Sequence, residues 1–293
     1  MCGIAGLFLK NRALEPELGA MTAGMLSVLT GRGPDSAGFA IYGSGMPGFL
    51  KFTLRGPAGF DFGVMAAALD VGFSVHDDHA VIGLPEERET RVRAMLAQKF
   101  PEVVIVASGA RMELFKGVGL PDDVCRRFGL EGMVGSHAIG HTRMATESAV
   151  TIQGAHPFST GLDQCLVHNG SLSNHNDLRR ALVKEGMAFE TQNDTEVAAA
   201  FLSWKLREGL KLDEALGAAL GTLDGFYTFV VGTETGFGVL RDPVACKPAV
   251  MAETDDYVAF GSEYRAMADL PGIARAHLFE PEPSQVYFWE RAA

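Results

Sequence analysis

The second residue of the chain is a cysteine, placed directly after the initiator methionine in the segment MCGIAGLF. Removal of Met1, which a small side chain at position 2 permits, would give Cys2 a free α-amino group beside its thiol. The thiolate is the nucleophilic form of cysteine, with an ordinary pKa of about 8.5. An α-amine has a pKa of about 7.7–8.0 and is a usable base near neutral pH. Cys2 alone would then supply both a nucleophile and its base.

Further residues of catalytic or binding type lie in short polar segments later in the chain: Arg143, Asn169, Gly170 and Asp194. Each has an ordinary structural interpretation when taken singly. Arg143 would be a surface ion pair, Asp194 a helix N-cap, and Asn169-Gly170 a hairpin turn. A Met-Cys start is also common by chance. A catalytic role for Cys2 therefore depends on whether the fold brings these residues together.

The first half of the chain contains the elements that would hold Cys2. The apolar run 3–9 predicts a buried strand, and the helical spacing of apolar residues predicts a helix over 15–30. The glycines and proline of GRGPDSAG predict a turn over 31–38. Further segments follow as strands at 39–42 and 49–54, helices at 60–70 and 85–100, and a strand at 102–109. This mixture predicts a small α+β insertion at about 50–108.

The second half has a more regular pattern. Strands ending in turns are predicted at 136–146 and 164–172, and helices at 174–186, 194–209 and 212–223. Four strands with short connections follow at 226–233, 236–242, 248–254 and 257–263, which favours one antiparallel sheet. Helices and antiparallel strands that are segregated along the chain predict an α+β fold of stacked layers.

Composition excludes several classes of function. The chain of 293 residues has 25 Lys and Arg against 36 Asp and Glu, and its net charge of −11 argues against nucleic acid or an anionic membrane as partner. No apolar segment approaches the roughly 18 residues of a membrane-spanning helix. The four cysteines are scattered without a CxxC pair, which favours a reducing cytoplasm over a disulfide framework.

Eight motifs occur in a fixed order along the chain: MCGIAGLF, GRGPDSAG, GHTRMAT, HNGSLSN, NDTE, LDGFYTFVVG, LRDPVACKP and FGSE. Together they resemble the class II glutamine amidotransferase domain of the N-terminal-nucleophile hydrolases. The resemblance covers about 1–45 and 110–265. It implies a four-layer αββα sandwich, a single domain over 1–293 that carries the insertion, and hydrolysis of glutamine to glutamate and ammonia.

The resemblance also implies roles for individual residues. Cys2 would attack the side-chain amide, and Asn169 with the Gly170 N–H would form the oxyanion hole. Arg143 would bind the substrate α-carboxylate, to which a guanidinium is suited. Asp194 would accept the α-ammonium, and Thr146 would line the glutamine pocket. The residue types agree with this, because an α-amino acid requires one fixed cation and one fixed anion.

Two departures from the family pattern concern the glutamine pocket. The sugar-phosphate branch usually has an aromatic residue after the arginine and a histidine after the threonine, whereas here Met144 and Glu147 stand there. Glutamine affinity is therefore expected to be modest unless a partner completes the pocket.

No metal site is expected, because HDDH at 76–79 is interpreted as an exposed loop, and the core histidines are interpreted as packing residues. Cys165 is expected to be buried and inert.

The last motif ends near the C-terminus, and no acceptor-binding module is recognised. The resemblance is strongest to the separate amidotransferase subunit of glutamate-synthase-like complexes, which include N-methylglutamate synthase. It implies a cytoplasmic hetero-oligomer in which this chain binds L-glutamine and no cofactor. Flavin and iron–sulfur groups would belong to the synthase subunits that receive the ammonia. Two alternatives remain: a non-catalytic glutamine-sensing subunit that retains Met1, and an amidohydrolase of the same fold acting on another amide.

Overall fold

Cys2 immediately precedes the central strand of the larger of two sheets that pack face to face. The computed structural model describes residues 2–145 and 150–291. The strands are β1 (Gly3–Leu9), β2 (Ser36–Tyr42), β3 (Phe49–Arg55), β4 (Gly72–His76), β5 (His79–Pro85), β6 (Val104–Gly109), β7 (Met112–Val118), β8 (His137–Arg143), β9 (Phe158–Gly161), β10 (Gln164–Leu172), β11 (Gly225–Gly232), β12 (Gly236–Arg241), β13 (Val250–Glu253), β14 (Tyr257–Gly261), β15 (His277–Phe279) and β16 (Val286–Glu290).

The α-helices are α1 (Leu18–Val28), α2 (Phe62–Leu69), α3 (Glu89–Lys99), α4 (Pro121–Phe128), α5 (His175–Lys184), α6 (Asp194–Arg207) and α7 (Leu212–Thr222). Short 3-10 helices lie at Arg12–Glu17, Thr30–Arg32, Glu86–Arg88, Leu130–Gly132, Tyr264–Met267 and Ile273–Arg275. Among the described residues, every helix is too short or too polar to traverse a lipid bilayer.

Two of the sheets form the centre of the molecule. The first has the order β15-β13-β14-β1-β8-β2-β7, and the second has the order β16-β12-β11-β10-β9. Strand β1 is flanked by β14 and β8, and all seven of its residues are buried. A strand covered on both faces explains its continuous apolar sequence. The position of Cys2 is thus fixed by one of the most enclosed strands of the fold.

Three apolar cores separate four layers. One core lies between the two sheets and includes Ile4, Val167 and Phe260. A second lies between the outer face of the first sheet and helices α1 and α4, and a third lies between the second sheet and helices α5, α6 and α7. This is the αββα arrangement that the sequence predicted.

The segment 49–109 forms a separate sheet of order β4-β5-β3-β6 with helices α2 and α3 against it. Its apolar core is distinct from the other three and includes Phe52, Met65 and Ile82. The sequence analysis placed the insertion at about 50–108. The HDDH segment is the β4–β5 hairpin turn, but the prediction of an exposed loop fails for His79, which is buried against Phe115 and Phe128.

Two predictions of connectivity were wrong. The four C-terminal strands do not form one sheet, because β11 and β12 belong to the second sheet whereas β13 and β14 belong to the first. The HNG motif is also not a turn. Asn169 and Gly170 lie inside β10, opposite Thr228 and Tyr227 of β11. The sequence analysis also omitted helix α4 and the strands β4, β5, β7, β9, β15 and β16.

Candidate active site

Cys2 is held at the end of the sandwich by residues from both central sheets. Its backbone carbonyl accepts a hydrogen bond from Arg32 Nε at 2.9 Å. The same carbonyl accepts from Asn169 Nδ2 at 3.3 Å. The thiol Sγ lies 3.9 Å from the Met144 carbonyl oxygen, just beyond Arg143 at the end of β8. The structure therefore brings three of the predicted segments to one residue.

Arg32 and Glu263 form a partly buried ion pair beside Cys2 that sequence reasoning missed. Arg32 Nη1 lies 2.6 Å from Glu263 Oε1, and the Arg32 side chain is 8% exposed. The hydrogen bond from Arg32 is the main cause that holds the pKa of Glu263 below its ordinary value. Both residues belong to motifs that the sequence analysis quoted. The sequence signal that could have indicated Arg32 is the presence of a charged residue inside the glycine-rich turn GRGPDSAG.

Gly170 occupies a backbone conformation and a space that only glycine fits. Its φ is +151°, and a Cβ at this position would lie 2.0 Å from the Phe226 carbonyl oxygen and 2.7 Å from Tyr227 Cα. A side chain here would therefore force β10 away from β11. The close approach fixes the backbone of Asn169-Gly170, which adjoins Cys2 through the Asn169 amide.

Asp194 begins helix α6 and is bound back to β10. One of its carboxylate oxygens accepts a hydrogen bond from the Leu172 N–H at 2.9 Å, and the other lies 3.9 Å from His168 Nδ1. The helix N-cap is Asn193, whose side chain accepts from the Thr195 N–H at 2.8 Å. Asp194 is thus not the cap, and its carboxylate is placed near the strand that carries Asn169.

Arg143 is the last residue of β8, where the backbone packs tightly on the preceding motif. A Cβ on Gly33 would lie 2.4 Å from Arg143 N, which explains the glycine in GRGPDSAG. The Asp35 N–H donates to the Arg143 carbonyl at 3.1 Å, and the Asp35 carboxylate accepts from the Ala145 N–H at 2.7 Å. Thr146 and Glu147, like Met1, lie outside the described residues.

Three buried histidines connect these segments beneath the site. The rings of His141 and His156 stack with centroids 4.1 Å apart. Thr195 Oγ1 lies 3.0 Å from His168 Nδ1 and 3.3 Å from His156 Nε2. Burial lowers the pKa of His141 to about 3 and that of His168 to about 4. Neutral imidazoles therefore join β8, β10 and α6, in agreement with the packing role predicted for them.

The prediction for Cys165, which lies outside the site, can be compared with the structure. Cys165 is fully buried, and burial raises the pKa of its thiol to about 12, so it is inert near neutral pH as expected. Within residues 2–145 and 150–291, no group of three or more His, Cys, Asp or Glu side chains is arranged to hold a metal ion.

Comparison with known proteins shows which family has this arrangement. A family model described as "glutamine amidotransferase domain" matches residues 141–269. The glutamine amidotransferase-like protein GlxB of Rhizobium meliloti is 58% identical over 99% of this chain and 98% of its own length. A putative glutamine amidotransferase of Methanothermobacter thermautotrophicus is 32% identical over 98% of this chain and 99% of its own length. The chain belongs to the class II glutamine amidotransferase family.

A solved structure supports the fold of the amidotransferase independently. Glutamine phosphoribosylpyrophosphate amidotransferase from B. subtilis superposes with a TM-score of 0.63 at 22% identity. The match covers 99% of this chain and 47% of that chain. The predictions of the family and of its layered fold are confirmed. The enzyme class predicted from the motifs, a glutamine amidotransferase, agrees with both curated relatives. The assigned roles of individual residues stay predictions, as do the domain limits.

Proposed function

We propose that the amidotransferase hydrolyses L-glutamine to glutamate and ammonia through Cys2, and passes the ammonia to a separate synthase subunit. The observation that supports the chemistry is the hydrogen bond from the Asn169 amide to the Cys2 carbonyl, at 3.3 Å. It ties the residue proposed as nucleophile to the residue proposed as oxyanion donor. The two come from different sheets and are 167 positions apart in the sequence.

In the first half of the reaction, the α-amine of Cys2 takes the thiol proton after Met1 has been removed. The thiolate attacks the glutamine side-chain carbonyl carbon, and the electron pair moves to oxygen. Asn169 Nδ2 carries two protons, so one can hold the Cys2 carbonyl while the other is donated to the oxyanion. The Gly170 N–H is the second donor. Such donors each contribute about 10²–10³ in rate.

In the second half, the ammonium formed on the α-amine protonates the leaving nitrogen, the C–N bond of the tetrahedral intermediate breaks as the carbonyl reforms, and ammonia departs to leave a thioester on Cys2. Water then attacks the thioester with the amine again as base, and glutamate is released with the thiol restored. Arg143 binds the substrate α-carboxylate and Asp194 binds its α-ammonium. One oxygen of Asp194 is already used by the Leu172 N–H, which fixes the carboxylate in place for the other.

The pocket of this amidotransferase differs from that of the sugar-phosphate branch at Met144 and Glu147. We infer that Thr146 lines the pocket and that its wall is completed by a partner subunit. The proposed partner is the synthase of a glutamate-synthase-like complex, which would hold the flavin and iron–sulfur groups. Two relatives match over 98% and 99% of their own length, so those curated proteins carry little beyond the amidotransferase region. This supports a synthase on another chain.

The test of the nucleophile is intact mass before and after exposure to a glutamine-mimicking diazo ketone. We expect loss of Met1 and one adduct on Cys2. Cys246 is the matched control, because its thiol is exposed and free. Cys246→Ser should keep both the adduct and ammonia release, whereas Cys2→Ala should lose both. Ammonia release that survives Cys2→Ala would refute the mechanism.

The same assay separates the alternatives. A glutamine-sensing subunit would bind glutamine without turnover and retain Met1. An amidohydrolase for another substrate would prefer an amide that lacks the α-carboxylate or the α-ammonium. Ammonia transfer is tested by purifying the chain with its synthase and comparing product formed from glutamine with product formed from added ammonium. If Cys2→Ala abolishes only the glutamine-dependent product, transfer is supported. If product formation from glutamine is unaffected, it is refuted.

A further inference from the structure

A cleft of about 1280 Å³ lies between the insertion and the amidotransferase core. Helix α3 and strand β6 form one wall. Strand β9, helix α6 and the segment 186–191 form the other. Cys2, Arg143, Asn169, Gly170 and Asp194, the described residues assigned to glutamine hydrolysis, do not line it. Its size exceeds the roughly 300–1,000 Å³ of ordinary small-molecule sites, so a metabolite would fit.

Two cations of this cleft, Arg55 and Lys116, lie close enough to repel each other, and neither forms an ion pair with a carboxylate of the described residues, although the charges of Glu190 and Glu196 raise the pKa of Lys116. Arg55 makes no side-chain hydrogen bond or ion pair with any part of the chain that the structure describes. The Lys116 ammonium donates to the Ala155 and Pro157 carbonyls, at 3.0 and 3.4 Å, and lies 4.5 Å from the centre of the Phe158 ring. Burial, followed by the positive charge of Arg55, lowers the pKa of Lys116 to about 8. The two cations therefore repel each other when the cleft is empty.

The other charged groups of the cleft are held in different ways, and among the described residues only Glu89 and Arg93 form an ion pair with each other. They are Glu89, Arg93, Glu190, Glu196 and Arg207. Arg93 Nε binds Glu89 at 2.9 Å, and Arg207 donates to the Glu185 carbonyl. The Glu196 carboxylate accepts from the Glu190 and Thr191 N–H groups and from Thr191 Oγ1. Glu190 keeps a carboxyl without such donors, and burial raises its pKa.

A second unsatisfied group faces the cleft. Gln164 is 1% exposed, and its Oε1 accepts from Ser203 Oγ at 2.8 Å, whereas its Nε2 has no hydrogen-bond partner among the described residues. Whichever way the amide is turned, Ser203 satisfies one end of it and the other stays unpaired. A buried polar atom without a partner costs about 1–3 kcal/mol. Gln164 of β10 pairs with Gly161 of β9. Gly161 is about 10 Å along β9 from Phe158, and the Lys116 ammonium lies over the Phe158 ring.

We propose that this cleft binds a small-molecule oxyanion, a carboxylate or a phosphate, between Arg55 and Lys116. The oxyanion adds negative charge to that of Glu190 and Glu196 beside the two cations. A polar group about 10 Å away on the same molecule satisfies Gln164. Binding also reaches the catalytic end of the enzyme. Glu196 ties the cleft wall at 190–191 to the first turn of α6, two residues after Asp194. A ligand that orders this wall changes the position of the Asp194 carboxylate. This part of the inference rests on the proposed function.

The test is isothermal titration of the full chain with two probes, inorganic phosphate and citrate, which distinguish the phosphate from the carboxylate source. We expect saturable binding of at least one probe. Arg55→Gln should weaken it about tenfold or more, as expected for a lost hydrogen bond to a charged group. Arg126→Gln is the matched control, because Arg126 is an exposed arginine outside the cleft. It should leave the affinity unchanged.

Three further variants make the test independent of folding and of catalysis. Glu190→Gln removes the opposing carboxylate and should tighten binding, which loss of structure could not do. Arg143→Gln and Cys2→Ala should both retain binding, since neither residue lines the cleft. No saturable heat up to about 10 mM of either probe, or equal affinity for the parent chain and Arg55→Gln, would overturn the proposal. If the probe binds but the glutamine KM does not change, the site stands and its coupling to Asp194 is refuted.

Discussion

The ion pair between Arg32 and Glu263 should stabilise the fold and position the nucleophile at the same time. Arg32 donates from Nε to the Cys2 carbonyl at 2.9 Å and from Nη1 to Glu263 at 2.6 Å. Glu263→Gln removes the carboxylate charge and leaves the guanidinium beside Cys2 without it. Removal of one partner from a fully buried pair costs about 3–5 kcal/mol, whereas exposed pairs contribute about 0–1 kcal/mol.

This pair lies between those limits, because the side chains of Arg32 and Glu263 are 8% and 30% exposed. We therefore expect Glu263→Gln to lower the free energy of unfolding by about 2 kcal/mol. Urea unfolding of the processed chain measures this difference. Ammonia release should also fall, mainly through kcat, because Arg32 is less firmly held and the Cys2 carbonyl loses part of its support. Glutamine KM should change little, since neither residue is assigned to substrate binding.

The matched control is Glu113→Gln. Glu113 pairs with Lys51 at 2.7 Å and is partly exposed like Glu263, but it lies at a distance from Cys2 along β7. It should cost about 1 kcal/mol or less and leave kcat unchanged. If Glu263→Gln costs no more stability than Glu113→Gln and retains full kcat, Arg32 does not position Cys2 through this pair.

The pH dependence of the pair has a defined sign. The pKa of Glu263 is lowered in the folded state, chiefly by the hydrogen bond from Arg32. Its contribution is therefore fully present above the ordinary pKa of a glutamate and is lost as the pH falls through the lowered value. The stability difference between the parent chain and Glu263→Gln should be constant at neutral pH. It should shrink only on acidification below about pH 4.3.

Three further predictions follow from single sites. Asn169→Ala should lower kcat by about 10²–10³ with a smaller change in KM, measured by ammonia release, because it removes one oxyanion donor. Asp163→Ala should lower the free energy of unfolding, measured with urea, by about 3 kcal/mol or more. The Asp163 carboxylate accepts from the three backbone N–H groups of residues 110–112, which the substitution would leave unpaired. Asp163→Asn should cost less. Burial lowers the pKa of His137 and of His141 to about 3. As the pH falls, the unfolded chain therefore binds protons at these histidines before the folded chain does. The free energy of unfolding should fall by about 1.4 kcal/mol per pH unit for each histidine below about pH 6.5.

Much of the local structure around the candidate site was predictable, because its residues lie in short segments whose local pattern is strong. The continuous apolar run of β1 predicted the strand that holds Cys2, and Asp194 was correctly placed where α6 begins. The helix periodicity of α6 and α7 set their bounds to within a few residues. These features depend on neighbours in sequence, which is the information that spacing and propensity carry.

The errors arose where distant strands decide the structure. Asn169-Gly170 has the composition of a turn, yet it continues β10 because β11 pairs with it along its whole length. The strands β13 and β14 follow β12 directly, but they cross to the other sheet, where β14 pairs with β1. Short connections favour neighbouring strands in one sheet without requiring it. Strand pairing across more than two hundred residues has no signature in a single sequence.

The same argument applies to the groups that hold the nucleophile. Cys2 is positioned by Arg32 and Asn169, and Arg32 is in turn positioned by Glu263, which is 231 residues away. Local sequence reveals which side chains can perform the chemistry, because chemistry depends on residue type. It does not reveal which side chains restrain them, because restraint depends on the pairing of β1 with β8 and β14. A search for undiscovered positioning residues in this family should therefore begin with buried charges at the ends of those strands.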